Sequence, residues 1–432
     1  MKINPYFRIL SLFLVVAVAS CSKSEDPIKP VQEELSLILK SDVGNGDPEV
    51  ITVNRMVTFT ITGSDGEDYT ALSKISVNDT EIQGNTYTFA ATGSYTVKAI
   101  YQSISSNTLN FEVLEPTQRA LTIDVPKALR NQTITFGLID SNGDNTASEA
   151  TFYVNDAAIS GFTFVSASAG GFDVYAEYEV NGEIYTTEKK PFEVFIPKRK
   201  VVLEDYTGAW CGYCPAVALA IDTAKTKTPH VSVVAIHESA FSFPDPMEFP
   251  QIKEMKAYFG IGGLPQARLN RIQKWMDPYP MNEILSMAGK DNNISIAINS
   301  QLTGLNLSVD VKLVSETGLE AGDKLVVYLT ESGIIYPQIN YFDNVPGHPL
   351  QGAGNPIPEF EHNDVLRKSL TNVYGDNIPA TPAFQVYQKS FTLTLPSDYV
   401  TSNLSMVVMV VNSEDSAKNS QFSKVGENKN YE

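Results

Sequence analysis

The chain has 432 residues, 43% hydrophobic and 19% charged, with a formal net charge of −18 and three cysteines. That length has room for three or four domains with cores of their own. The acidic balance argues against nucleic acid as a partner and against electrostatic docking to anionic lipid, and so few cysteines cannot frame a disulfide-stapled scaffold.

At the N-terminus, Lys2 and Arg8 precede an apolar run from Ile9 that ends in Val18-Ala19-Ser20-Cys21. A positive flank, a short greasy stretch and small residues make a secretory signal over residues 1–20. The run is too short to span a bilayer by itself. The small residues before Cys21 resemble a bacterial lipobox. That resemblance implies cleavage before Cys21 and acylation of its sulfur and new amino end, so that a lipid bilayer is an expected partner through those acyl groups. Losing Lys2 and Arg8, with no acid in residues 1–20, takes the net charge from −18 to −20. Residues 21–34, which include Ser22-Lys23-Ser24-Glu25-Asp26-Pro27, read as a polar tether. No aspartate directly follows Cys21, which favours the outer membrane. The short acidic stretch resembles surface-export tags and equally fits a solvated linker, so the periplasmic and cell-surface faces both stay open.

From Leu35 to Val194 the chain reads as short strands rich in Val, Ile, Thr, Tyr and Phe, separated by turns such as Asp65-Gly66 and Asn142-Gly143. The region repeats itself. Val57-Thr58-Phe59 aligns with Ile134-Thr135-Phe136, Val77-Asn78-Asp79 with Val154-Asn155-Asp156, and Gly93 with Gly170, all at an offset of 77 residues. Phe111-Glu112-Val113 then aligns with Phe192-Glu193-Val194 at an offset of 81, so one hairpin has grown by four residues. The Gly-x-aromatic-x-Val entries at Tyr95 and Phe172 resemble the corner strand of immunoglobulin-like sandwiches, and a repeat of about eighty residues suits that module. Two tandem immunoglobulin-like β-sandwiches are therefore expected over 35–116 and 117–196, either as a spacer or as a ligand-binding surface. Asp140-Ser141-Asn142-Gly143-Asp144 has alternating oxygen groups that suit calcium, but its glycine is misplaced and Thr151 stands where a bidentate Glu belongs. A turn is the favoured reading.

After the basic linker Pro197-Lys198-Arg199-Lys200, Val201–Tyr206 reads as a buried strand. The turn Thr207-Gly208-Ala209 leads into Trp210-Cys211-Gly212-Tyr213-Cys214 and an apolar helix. A strand at 230–237, a helix at 251–259, a strand at 266–270 and a helix at 281–288 complete an α/β unit over 197–290. A thiolate attacks disulfides, and the positive end of a helix lowers a thiol pKa, so Cys211 is the expected nucleophile and Cys214 the resolving thiol. Strand alternation sets Leu203 and Asp205 on one face and Glu204 on the other, so Asp205 either handles the resolving thiol's proton or stays a solvated charge. The tryptophan-flanked Cys-x-x-Cys, the acid six residues ahead of it, and the Gly-rich approach to Leu264-Pro265 resemble the thioredoxin superfamily. The resemblance implies a cis Pro265 against the motif, with Trp210, Gly212, Tyr213, Leu264 and Pro265 seating the substrate backbone. It implies exported protein thiols or disulfides, or a redox partner protein, as partners. An inert disulfide in a fold recruited for binding is the rival reading. A zinc site lacks two further ligands. No metal and no cofactor is expected.

Residues 291–432 return to strands, at 295–299, 305–313, 324–329, 386–395 and 404–411, which read as a C-terminal β-sandwich. Apolar spacing at Val365, Leu366 and Leu370 predicts a helical insertion ending at Gly375. His362-Asn363-Asp364-Val365-Leu366-Arg367, behind a Cys-x-x-Cys unit, resembles the outer membrane protein 28 family over roughly Val201 to Val411. His362 and Arg367 either face Cys211 or form an ion-paired helix cap. The fold class is thus multidomain α+β. The function is expected to be thiol–disulfide exchange on exported proteins, or a non-enzymatic adhesin or receptor of the outer membrane with a structural cysteine pair.

Overall fold

The computed structural model describes residues 35–44 and 46–432. The leader, Cys21 and the tether expected over residues 1–34 lie outside the described residues. The chain divides into two compact units, one ending at Glu115 and the other running from Pro116 to Glu432.

The first unit is a β-sandwich. In its strand Met56–Gly63, Val57, Phe59 and Ile61 turn inward while their neighbours face outward, the period of two that a half-buried strand requires. That strand pairs with Leu37–Ser41 and Thr86–Thr88. The facing sheet runs in the order Glu49–Thr52, Leu109–Leu114, Gly93–Tyr101, Lys74–Val77, Thr80–Glu81. Phe59, Phe89 and Phe111 meet between the two sheets.

The second unit begins with a second sandwich of the same strand order. Ile134–Asp140 pairs with Arg119–Ile123 and Thr163–Phe164. The facing sheet orders Lys127–Leu129, Lys190–Phe195, Gly170–Val180, Ala150–Val154, Ala157–Ala158. Both modules are immunoglobulin-like β-sandwiches, and the sequence repeat is a structural one. The loop from Asp140 to Asp144 closes as a turn: the Asp140 carboxylate accepts the N–H groups of Asn142 (2.8 Å) and Asp144 (2.9 Å).

The rest of the unit comprises β1 (Val201–Thr207), α1 (Cys214–Lys227), β2 (Val231–His237), α2 (Ile252–Phe259), β3 (Gln266–Leu269), β4 (Gln273–Trp275) and α3 (Met281–Leu285). There follow β5 (Ile294–Thr303), β6 (Asn306–Ser315), β7 (Lys324–Glu331), β8 (Val365–Ser369), β9 (Tyr387–Thr394), β10 (Leu404–Val411) and β11 (Ala417–Lys424). One nine-stranded sheet runs β4-β3-β1-β2-β8-β7-β10-β11, with Asp376–Asn377 pairing on β7. β1 and β2 are parallel and joined by α1, whereas β3 lies antiparallel to β1. Strands from both sides of residue 290 therefore share one sheet.

β1, β2, β7 and β10 are buried along nearly their whole length, as continuous apolar runs covered on both faces must be. Val202, Tyr206, Val234 and Ile236 pack with α2 and with Val326, Tyr328, Val407 and Met409. The opposite face of β1 and β2 packs on α1, Trp275 and Ile284. The opposite face of β7 and β10 packs on a four-stranded sheet, β9-β6-β5 with Asn428–Lys429.

The helical insertion expected after Val365 is not formed; Val365–Ser369 is strand β8. Val365 packs with Ala209 and Met247 while Leu366 enters the core behind β7. Adjacent apolar residues thus serve opposite faces of a strand that bridges β2 and β7, a demand that overrides a short helical spacing.

Candidate functional site

All of β1 is buried, an interior strand between β3 and β2, so its C-terminal end delivers the cysteine loop at a fixed place. The loop turns through Gly208 to Trp210, where the Trp210 indole N–H donates to the Glu238 carbonyl (2.7 Å). The helix begins at Cys214 with Pro215 in its first turn, where a missing N–H costs nothing. Cys211 lies ahead of that terminus, in a turn closed by Cys214 N–H on the Cys211 carbonyl (3.1 Å). A disulfide joins Cys211 and Cys214. Both are buried, at 4% and 2% exposure, whereas Tyr213 between them is 57% exposed.

The Leu264–Pro265 peptide is cis. The β1–β3 register pairs Tyr206 with Gln266, which sets Pro265 at the strand end from which the cysteine loop leaves. Leu264 packs at the edge of the core beneath it.

Asp205 points to the α1 side, as alternation from Leu203 requires, while Glu204 points to the other and pairs with Arg271. The Asp205 carboxyl is buried, its Oδ1 has no hydrogen-bond partner, and burial pushes its pKa up to about 8. It lines a cavity of about 390 Å3 with Cys214, Pro215, His237, Gln338 and His362.

His237 at the end of β2 pairs through Nδ1 with the Asp245 carboxylate (2.8 Å). Asp245 also accepts the N–H groups of Ala209 (2.7 Å) and Met247 (2.8 Å). Burial works against that charge, but the His237 contact and the two amides outweigh it and hold the Asp245 pKa below its ordinary value. The His362 ring meets His237 edge to face, 5.2 Å between centroids, and burial pulls its pKa down to about 4. Arg367 takes no part in the cavity: it pairs with Glu331 (3.2 Å) and Asp398 (3.5 Å) and lies over the Tyr399 ring.

A segment between β7 and β8 crosses the cysteine loop. The N–H groups of Ile339 and Tyr341 donate to the carbonyls of Ala209 and Gly212, both at 2.9 Å. The Gln338 side-chain amide donates to the carbonyls of Cys211 (2.9 Å) and Gly208 (3.3 Å). The Tyr341 ring rests on Gly212, where an added Cβ would lie 2.4 Å from the ring, and Tyr213 packs edge-on against Tyr341 and Phe342. The sequence marks none of this. Gln338 reaches main-chain carbonyls 127 and 130 residues away, and main-chain acceptors leave no residue signature. Tyr341 is hidden for the same reason, and Asp245 because its partners include the main-chain N–H groups of Ala209 and Met247.

Among proteins of known structure, HBP35 of Porphyromonas gingivalis is 18% identical, with a TM-score of 0.42 over 53% of this chain and 76% of that one. The fibronectin(III)-like modules of Clostridium thermocellum CbhA are 18% identical, with a TM-score of 0.18 over 37% of this chain and 93% of that one. The Yersinia pseudotuberculosis adhesin InvE is 14% identical, with a TM-score of 0.15 over 38% of this chain and 60% of that one. No curated protein sequence matches. A family model described as Outer membrane protein Omp28 matches residues 252–429, a stretch that starts after the cysteine loop and contains the whole of the segment covering it. Over residues 252–429 this chain is therefore similar to the outer membrane protein Omp28 family.

Proposed function

We propose that the protein is a non-enzymatic binding protein of the bacterial outer membrane, tethered through an acylated Cys21, with its β-sandwich modules as the binding surface and Cys211–Cys214 as a structural bond. The observation that carries this reading is the burial of both cysteines, at 4% and 2% exposure, in a loop that residues 338–342 cross. A disulfide exchanges only when a thiolate can approach one sulfur in line with the bond, and a covered sulfur offers no approach. The leader sequence and the outer-membrane family of residues 252–429 support the location.

Thiol–disulfide exchange is the second reading. It is supported by the order β1-α1-β2-α2-β3-β4-α3, with the cysteine loop after β1 and a cis proline ahead of β3, the arrangement expected of a thioredoxin-like unit. One experiment separates the two. The native full-length protein is treated with a dithiol and then a thiol alkylator, without denaturant. Structural burial predicts no label on Cys211 or Cys214 until the fold is opened. Rapid labelling of Cys211, with a Cys214→Ser variant trapping envelope proteins as mixed disulfides, would establish exchange instead. Radiolabelled palmitate on the wild type but not on Cys21→Ala tests the anchor, and protease shaving of intact cells tests the membrane face.

A further inference from the structure

The segment over the cysteine loop is held differently from the rest of the unit. It grips the main chain of the loop: the amides of Ile339 and Tyr341 reach the carbonyls of Ala209 and Gly212, and the Gln338 side chain reaches those of Gly208 and Cys211. Such pairing is the way an extended peptide adds to an exposed edge, with the backbone giving affinity and an alternate side chain giving specificity. Here the alternate side chain is Tyr341, seated on a residue that has no Cβ to obstruct it. Its outer side is open, with Tyr341 56% and Tyr213 57% exposed.

A segment that belongs to a core rests on close-packed side chains. At the start of this one, Gln338 lines a cavity of about 390 Å3 together with His362, Cys214 and Asp205, whose Oδ1 has no hydrogen-bond partner. The two buried residues of the segment, Gln338 and Asn340, are polar, so lifting it exposes little packed apolar surface, the condition under which a segment opens locally rather than with the whole fold.

We infer that residues 338–342 form a displaceable strap seated in a groove across Ala209–Gly212, and that this groove takes an extended polypeptide segment carrying an aromatic side chain over Gly212. The inference goes beyond the binding-protein reading: it adds, at the cysteine loop and apart from the β-sandwich modules, a site for a polypeptide that pairs with the two carbonyls in the strap's place. While the strap is seated, the disulfide beneath it is latent. When it lifts, the Cys211–Cys214 bond meets solvent.

The test uses the full-length protein. In the assay a dithiol reagent gives up two electrons and two protons, the Cys211–Cys214 bond breaks to two thiols, and the reagent closes to its own disulfide. Tyr341→Ala removes the ring that sits on Gly212, and Gly212→Ala pushes the same ring away from beneath. Each is expected to speed reduction at least tenfold over the wild type with unchanged far-UV circular dichroism. A fluorescein-labelled peptide of the sequence Tyr336–Phe342 is expected to bind Tyr341→Ala and not the wild type, whereas a scrambled peptide binds neither. Reduction of both folded variants within twofold of the wild type would overturn the inference. Should both variants fail to fold, hydrogen exchange on the unaltered protein decides: the amides of Ile339 and Tyr341 must exchange long before those of Val327 and Val408, and exchange of all four together overturns it. The outcomes stay separable from the wider reading. An inert wild type with inert variants sinks the strap alone, whereas a wild type that is itself readily reduced sinks the structural-disulfide reading.

Discussion

Asp205 is a carboxyl group that the fold does not satisfy. Burial raises its pKa to about 8, against an ordinary value near 4, so between those values the folded chain holds a proton that the unfolded chain has lost. Its contribution therefore makes stability fall as pH rises through that window and level off above it. His362 works in the other sense. Burial lowers its pKa to about 4, so the unfolded chain binds a proton first, and its contribution is fully present above pH ~6.5 and lost as pH falls toward 4. Between pH ~6.5 and 8 only the Asp205 effect remains. Asp205→Asn is accordingly expected to flatten the stability curve there and to raise stability at pH 9 by up to ~5 kcal/mol, measured by urea unfolding at a series of pH values. A variant that tracks the wild type at every pH would mean that Asp205 is solvated in the folded protein.

At the scale of elements, the turn between β3 and β4 decides how the large sheet holds together. Asn270 and Arg271 both adopt left-handed backbone (φ 48° and 73°), a conformation asparagine tolerates and arginine adopts only when its surroundings hold it there. The reward is the placement of the Arg271 guanidinium in the core. It donates to Glu204 (3.1 Å), to the Tyr328 hydroxyl (3.2 Å) and to the Val373 carbonyl (2.8 Å), and it lies over the Phe259 ring. Arg271 and Glu204 are both fully buried. Arg271→Met leaves a buried carboxylate without its cation and is expected to cost ~3–5 kcal/mol in urea unfolding. Adding Glu204→Gln to that variant should restore part of the loss, because the stranded charge is then gone. Equal stability of the single and double variants would show that the pair contributes packing only.

At the scale of the whole molecule, the two sandwiches of one repeat have different standing. The first forms a compact unit ending at Glu115, closed on its own core of Leu39, Ile51, Phe59, Phe89 and Phe111. The second belongs to the larger unit, where Leu129 and Phe195 pack with Val314, and Arg130 forms an ion pair with Glu316 (3.0 Å). A fragment of residues 35–115 is therefore expected to fold alone, with a calorimetric transition that superimposes on one in the full chain. A fragment of residues 117–196 should melt below its temperature in the full chain. Arg130→Ala should lower stability of the larger unit by about 1–2 kcal/mol, with the first unit's transition unmoved. Movement of both transitions together would mean that the chain unfolds as one body.

The repeat, the β-sandwich modules and the element order around the cysteines were legible in the sequence, because each is written in local periodicity: period two in Val57–Ile61, a constant offset between the modules, and a Cys-x-x-Cys behind an apolar strand. The cis peptide at Pro265 was implied only through resemblance. β8 was misread because Val365 and Leu366 serve two faces at once, and β11 was missed because its Asn419, Ser420 and Gln421 are polar yet buried, satisfied by Lys200, Ser232 and the Ile294 carbonyl from distant strands. Tertiary structure alone decided that β1, β2, β7 and β10 share a sheet and that residues 338–342 lie over the disulfide. The pairing of β2 with β8 and the cover over the cysteine loop join main-chain groups about 130 residues apart, and a backbone carbonyl is the same atom whichever side chain stands beside it.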